Sequence, residues 1–487
     1  MPALAGGPLP ANSGAAAAAF ALLAGGGALL ALIFASPLLA MAIPLAGLGA
    51  LFCLRFPTAA IVVVCLTPPL TGTITTYLSI VPPKGLADVL IACLFLSVVW
   101  RYATGTDKAE IRPWPALSLL FVYLLMTIGA MLFGDDVGLA FESFKLAALY
   151  VLAGYIVAFA PWDAATRRRM AQGIVAVGVV VAGYCVFRYI VGPSGDEIAT
   201  ARAAQPSLPR SEELRFFGTF LTAQDLAGWS AAMLPFATAV AMAWNGFWRF
   251  AGAAMAGLCA IALLASDVRT GVAAAAAGIV LSAVVFFASR AFPSGRRIGT
   301  GFVALLAAVV VGGGGYLVVV ADSPDTQERF AGLLDPGSDP NFQVRQDRWE
   351  AAWEDVTNEP FGHGLGRTGS VAARDDLLVV GPPNLDSSYL KIGIEQGLVV
   401  MLLYVAGALA LLLGLIVRSV RTRNPAAAAM GIGAAGTLTA LIVLYYGSNY
   451  IESPSVGTPA WIVIGLGIAN FTVFVRSDRQ KPREGAP

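Results

Sequence analysis

The sequence predicts an all-α, polytopic membrane protein with 12–14 transmembrane helices and one large loop region. Three observations carry that expectation. Hydrophobic residues make up 57% of the 487 residues and charged residues only 13%, whereas a soluble domain carries about 25% charged residues. Mean hydropathy is +0.74. Apolar windows of about twenty residues, the length that crosses a bilayer as a helix, recur along the chain. Helices are required rather than merely allowed, because in hydrocarbon every backbone N–H and C=O must pair within its own segment or a closed barrel.

The windows fall near 15–34, 37–54, 57–71, 86–102, 114–133, 143–160, 171–191, 224–244, 248–265, 270–289, 299–320, 397–417, 428–446 and 458–475. The first has no basic stretch before it and no evident cleavage site, and reads as a retained helix rather than a signal peptide. The third is short and ends in Pro68-Pro69, so it reads as a broken or partial span. The chain then divides into 1–320 with eleven helices and the loop 192–223, a polar region 321–396, C-terminal helices over 397–475 and a basic tail 476–487.

Charge fixes an expected orientation. One set of alternate loops holds Arg55, Arg101, Lys108, Arg112, Arg167 to Arg169, Arg249, Arg290, Arg296, Arg297, Arg418, Arg421, Arg423, Arg476, Arg479, Lys481 and Arg483, eighteen of the 31 basic residues. The positive-inside rule therefore predicts N-in and C-in, with 192–223, 266–269, 321–396 and 447–457 outside. Lys84, Lys145 and Arg188 near outer ends read as snorkelled side chains. Net charge is +1, which points to no nucleic-acid partner. The 53 glycines, including Gly312 to Gly315, are expected to serve close helix packing. Cys53, Cys65, Cys93, Cys185 and Cys259 lie in apolar runs without a C-x-x-C pair and read as small buried hydrophobes. His363 is the single histidine.

Four outer elements carry candidate chemistry. The first runs from Arg215-Phe216-Phe217-Gly218-Thr219-Phe220 to Gln224-Asp225-Leu226-Ala227-Gly228. The second is the turn Ser266-Asp267-Val268-Arg269-Thr270-Gly271. The third holds Arg345, Arg348, Trp349, Trp353 and Pro360-Phe361-Gly362-His363-Gly364-Leu365-Gly366. The fourth runs from Asp386-Ser387-Ser388-Tyr389-Leu390 to Glu395-Gln396-Gly397. Arg215 and Arg269 read either as anchors or ion-pair partners of Asp225 or Asp267, or as guanidiniums that bind a diphosphate. A guanidinium suits the second role because its fork is always charged and meets phosphate oxygens bidentately. The glycine turn reads either as a tight turn or as a backbone cradle for an anion. Asp386 reads as a helix cap or as a general base. Trp349 and Trp353 read as an interfacial anchor or a sugar-stacking surface. Glu395 reads as a helix-end residue. Asp375-Asp376 is the closest approach to a metal-type carboxylate pair and reads as solvated loop; neither metal nor cofactor is expected.

Taken together, these motifs resemble the bacterial O-antigen ligase and polysaccharide polymerase superfamily, most densely over 210–420. That family shows R-x-x-G-x-F, an S-R-T-G-type turn, an R-x-x-x-W arm with a glycine loop, and H-N-x-Y-L…E-x-G-L entering a span. Here Asp386-Ser387 stands in place of His-Asn, and Gln224-Asp225 in place of Pro-Asn. The resemblance implies an inner-membrane, metal-independent glycosyltransferase. It implies an undecaprenyl-diphosphate-linked glycan donor, a glycan or lipid acceptor, and polysaccharide export or assembly proteins as partners. The missing His-Asn leaves the base to Asp386, to His363 or to no residue, and favours an exopolysaccharide or capsule polymerase-type member over a ligase. Within it, Asp386, Arg215 and Arg269 are the expected catalytic residues; Arg345, Arg348, His363 and Tyr389 are expected to bind substrate. Two rivals come from other classes: a precursor transporter or flippase, which would need charges buried at mid-span, and an inactive scaffold in an assembly complex.

Overall fold

The computed structural model describes residues 47–78, 84–104, 109–111, 114–132, 134, 136–205, 214–295, 340–372 and 385–475. The windows 15–34 and 299–320, most of 37–54, Gly312 to Gly315, Asp375-Asp376 and the tail 476–487 lie outside them.

The described residues open with α1 (Gly47–Arg55) and α2 (Pro57–Leu66), which meet at 115°. Pro57 opens α2 and cannot donate to a preceding turn, while Phe56 before it takes φ −130°, ψ 58°. The broken span expected at 57–71 is thus a sharp elbow followed by Pro68-Pro69. Next come α3 (Thr71–Leu78) and α4 (Lys84–Ala103). Nine helices follow that are long and apolar enough to cross a membrane, counted among the described residues. They are α5 (Pro115–Leu132), α6 (Val137–Phe159), α7 (Ala164–Val191), α9 (Ala223–Ala243), α10 (Phe247–Ala265), α11 (Arg269–Ala288), α15 (Leu398–Arg421), α16 (Pro425–Gly447) and α17 (Pro454–Thr472). Shorter helices intervene: α8 (Gly195–Ala203), α12 (Pro340–Asn358), α13 (Gly369–Ala372) and α14 (Ser388–Gln396).

Hydropathy located these nine closely. Two helices outrun their windows because a carboxylate caps them. Asp163 accepts from Thr166 N, so α7 starts before its apolar stretch and carries Arg167 to Arg169 in its first turns. Asp136 does the same for α6 through Gly138 N and Leu139 N.

The bundle centres on α9, α16 and α17, whose residues are nearly all buried. Glycine sets how closely these helices approach. A Cβ at Gly465 would stand 2.4 Å from the Gly154 carbonyl oxygen, and one at Gly278 would stand 2.6 Å from the Gly436 oxygen. The helices touch backbone to backbone there, the packing that small residues allow in membranes. All five cysteines are free and buried.

The snorkelling expected of two residues is replaced by ion pairing. Lys145 Nζ lies 3.1 Å from Asp88 Oδ2, joining α6 to α4. Arg188 Nε lies 3.2 Å from Glu197 Oε1 and its guanidinium donates to the hydroxyls of Tyr184 and Tyr77. Both carboxylates come from other elements, which a single helix window does not show. One strand pair departs from the helical plan: β1 (Ala109–Ile111) runs antiparallel to β2 (Val473–Val475). Beside it the buried Arg167 donates to the carbonyls of Trp162 and Val473.

Candidate active site

The polar groups gather where several helices begin or end. The N-terminus of α9, the 448–453 turn between α16 and α17, α13, and the start of α14 enclose a cleft of about 370 Å³. Its lining includes Thr222, Asp225, Ser370, Asp386, Glu452, Ser453 and Ser455, with Phe220 and Tyr450 as apolar walls.

Each carboxylate at the cleft is held by local structure. Thr222 caps α9, and its hydroxyl both accepts from Asp225 N at 3.0 Å and donates to Asp225 Oδ2 at 2.9 Å. Asp225 Oδ1 accepts from the hydroxyls of Ser453 and Ser455. This ties the start of α9 to the start of α17. The 448–453 turn is fixed to α14 by Ser388, whose hydroxyl donates to the Ser448 carbonyl and accepts from Ile451 N.

Asp386 stands just before α14 and is not its cap. Ser387 holds that position, without a side-chain cap bond. The Asp386 carboxylate instead faces α12, with Arg345 Nε 3.4 Å and Arg348 Nη1 3.9 Å from Oδ2. Trp349 Nε1 donates to the Asp386 carbonyl at 3.3 Å, and its ring packs on Tyr446 at 5.1 Å. One turn of α12 therefore brings two guanidiniums and an indole to one residue of the cleft wall. The spacing that carried the family resemblance, Arg345 to Trp349, is the spacing of that helical turn.

The glycine turn does cradle an anion, and the anion is the chain's own Glu395. Gly366 N donates to Glu395 Oε1 at 3.0 Å and Thr368 N at 3.3 Å. The backbone continues the seam: His363 N donates to the Ile394 carbonyl, Gly364 N to that of Glu395, and Leu398 N to that of Pro360. Gly397, at φ +92°, leaves no room for a side chain against Pro360 and Phe361. Glu395 is 1% exposed. It also accepts from Ser143 Oγ and from Lys391 Nζ, at 2.9 and 2.7 Å. Glu395 does sit at the helix end, as its sequence position indicates, and its partners come besides from α6 and the 360–368 loop.

Lys391 is the second buried charge of this network, at 1% exposure. Its ammonium lies 2.7 Å from Glu395 Oε1, 3.1 Å from Glu452 Oε1 and 2.7 Å from the Thr368 carbonyl oxygen. Burial pulls the ammonium down, but the charges of Glu395 and Glu452 outweigh it and hold the group above the ordinary lysine range. Glu452 in turn accepts from Ser370 N and Asn449 Nδ2 through Oε2. Gly369, at φ +80°, passes directly under that carboxylate; a Cβ there would meet Oε1 at 2.7 Å.

The predicted residues thus separate. Arg345, Arg348 and Asp386 come together. Neither Arg215 nor Arg269 lines the cleft. Arg215 precedes the lining stretch Phe220 to Thr222. Arg269 opens α11 after Asp267, which takes the left-handed φ of 54°. Its neighbour Thr270 packs where α16 ends, against Gly447. His363 is half-buried on the glycine turn and does not line the cleft. Tyr389, expected to face the cleft, turns into the bundle instead. Its hydroxyl donates to the Ile442 carbonyl and its ring lies 6.3 Å from those of Tyr404 and Tyr445. Sequence reasoning missed Lys391 and Glu452 as site residues. The i, i+4 pairing of Lys391 with Glu395 was a visible signal; Glu452, the one acidic residue of the 447–457 turn, was another.

Residues 254–405 match the family model described as O-Antigen ligase. The match includes Arg269, Arg345, Arg348, His363, Asp386, Lys391 and Glu395, and leaves Arg215, Asp225 and Glu452 outside it. No curated protein matches the chain.

Proposed function

We propose that this chain, which matches the O-antigen ligase family model over residues 254–405, is a membrane enzyme of polysaccharide assembly, a glycosyltransferase acting on an undecaprenyl-diphosphate-linked glycan. In this reading it sits in a bacterial inner membrane, N-in and C-in, with the cleft on the periplasmic side. The donor diphosphate binds at the guanidiniums of Arg345 and Arg348, with Arg215 and Arg269 at the flanks. An acceptor hydroxyl, from a glycan or a lipid, attacks the anomeric carbon from the opposite face. The carbon–oxygen bond to the diphosphate breaks, and the electron pair leaves on that diphosphate, where the guanidiniums stabilise it. Asp386 takes the hydroxyl proton. His363 stays on the glycine turn, away from the cleft lining.

The observation that carries this reading is the meeting of Asp386 with Arg345 and Arg348 at the cleft wall. A base and a diphosphate clamp must lie within one sugar of each other, and here they are in contact. A donor that occupies the guanidiniums also competes them away from Asp386, so binding would release the carboxylate for proton transfer. The carrier alternative needs charge at mid-span. Among the described residues the buried charged side chains are Arg167, Glu197, Lys391, Glu395 and Glu452, and each lies in a first turn, a short helix or the 448–453 turn, outside the spans' centres. Departure from His-Asn at Asp386-Ser387 favours an exopolysaccharide or capsule polymerase over a ligase.

The test is gene deletion followed by complementation. Deletion should remove long surface glycan if the chain polymerises, or leave finished lipid-linked polymer if it ligates. Asp386→Asn, Arg348→Ala, Arg215→Ala and Arg269→Ala should insert at wild-type levels and fail to restore the product. Full restoration by Asp386→Asn and Arg348→Ala together would refute the assignment.

A further inference from the structure

Resting on the transferase reading, we infer that the sugars which meet in this cleft carry no acidic group, and that Asp225 is the specificity-determining residue that excludes acidic ones. The inference comes from where charge lies around the cleft. Among the described residues the lining holds three carboxylates, Asp225, Asp386 and Glu452, and no lysine or arginine.

The three carboxylates are compensated unequally. Asp386 faces two guanidiniums, Arg345 and Arg348, so that end of the cleft is positive in sum. Glu452 shares the Lys391 ammonium with Glu395, so that group of three keeps one negative charge. Asp225 faces no cation among the described residues; its oxygens accept from the hydroxyls of Thr222, Ser453 and Ser455. Neutral hydroxyls hold a carboxylate in place and leave its charge intact. The dipole at the start of α9 amounts to about half a positive charge, which offsets Asp225 only in part. Asp225 is partly exposed on the cleft wall, so whatever occupies the cleft feels the remainder.

The cleft therefore has two poles. It is positive where Asp386 meets α12 and negative where Asp225 ties α9 to α17. A diphosphate belongs at the first pole, which leaves the second to the glycan. The argument needs no carboxylate oxygen free to bond a ligand, because Coulomb repulsion acts across a distance and low-dielectric walls strengthen it. A uronate, a pyruvyl ketal or a phosphate substituent would stand beside Asp225 with no cation to meet it, and like charges brought together reject the wrong partner. An uncharged sugar meets instead the exposed amide of Gln224 and the exposed hydroxyl of Ser370 on the same lining, groups that both donate to and accept from sugar hydroxyls.

The experiment uses the full chain purified in detergent and two probes. One is the oligosaccharide released by mild acid from the lipid-linked glycan of the deletion strain. The other is the same oligosaccharide after oxidation of its primary alcohols to carboxylates. Binding is followed by calorimetry, glycan transfer by gel and the composition of the parent probe by mass spectrometry. The wild-type chain should bind the oxidised probe about tenfold or more weakly than the parent, with the gap narrowing at high salt. Asp225→Asn, which keeps the shape of the side chain, should lose most of that gap. Gln224→Lys adds a cation to the same wall from an exposed position and touches none of the Asp225 bonds; it should bind the oxidised probe more tightly than the wild type does. Equal binding of the two probes by the wild-type chain overturns the proposal, as does a parent oligosaccharide that the chain does not bind or that itself carries an acid. A gap unchanged in both variants overturns the role of Asp225. A wild-type chain that discriminates between the probes but transfers no glycan leaves the charge selection standing and removes the transferase reading instead.

Discussion

Two ion clusters meet the same short helix and differ in almost every physical respect. At the front of α14, Asp386 faces Arg345 and Arg348 with side chains 31–36% exposed and separations of 3.4 and 3.9 Å. Behind it, Lys391, Glu395 and Glu452 are 1–7% exposed, and the Lys391–Glu395 contact is 2.7 Å. Exposed pairs are worth about 0–1 kcal/mol and exchange readily with other partners. A buried cluster is different: breaking it by removing one member leaves a charge that nothing else solvates. The front cluster is thus suited to trade partners during a reaction, and the rear one to hold geometry.

That contrast can be broken most forcefully from behind. Lys391→Met strands Glu395 and Glu452 without their cation and should cost about 3–5 kcal/mol. The expected outcome is little folded protein in membranes, read by fluorescence-detected size exclusion. A wild-type yield would show that the triad is not what fastens α14. A smaller effect is expected from Gly369→Ala. The new methyl would stand 2.7 Å from Glu452 Oε1 on a backbone at φ +80°, a strain on the order of 1–3 kcal/mol. Thermal unfolding should register it as a lower melting temperature.

Front-cluster variants should separate stability from activity. Asp386→Asn should change stability by no more than about 1 kcal/mol, while glycan transfer falls by about a hundredfold or more if the carboxylate is the base. A large loss of stability with proportionate loss of transfer would erase the distinction drawn between the two clusters. The finest test is pH. Lys391 is held above its ordinary value of 10.5 in the folded chain, so its contribution is complete below that value. It is lost only as pH rises through the higher folded-state value. Unfolding followed from neutral to strongly alkaline pH should show no triad-dependent change until past the ordinary lysine range.

How much of this was legible beforehand depended on how local each signal was. The nine spans were found by hydropathy because a bilayer imposes a length and an apolarity on each helix separately. Arg345, Arg348 and Trp349 share one helical turn, a spacing that puts them on a common face. Their joint partner, Asp386, came from a motif noted independently. By contrast, Arg188 and Lys145 were read as snorkelled because their carboxylates, Glu197 and Asp88, belong to other elements. Tyr389 sits between Asp386 and Lys391 in sequence, yet it turns to the tyrosines of α15 and α16 rather than to the cleft.

The sequence by itself determined that this chain is a bundle of membrane-length helices with its chemistry concentrated at helix ends, since burial in lipid permits little else. It also displayed the glycine turn and the acidic residue at 395. Only the tertiary structure decided that these two belong to each other, and that Glu452 joins them through Lys391 across two intervening helices. The reason is physical: a buried charge is tolerable only beside its complement, and which residue supplies that complement is settled by how the helices pack.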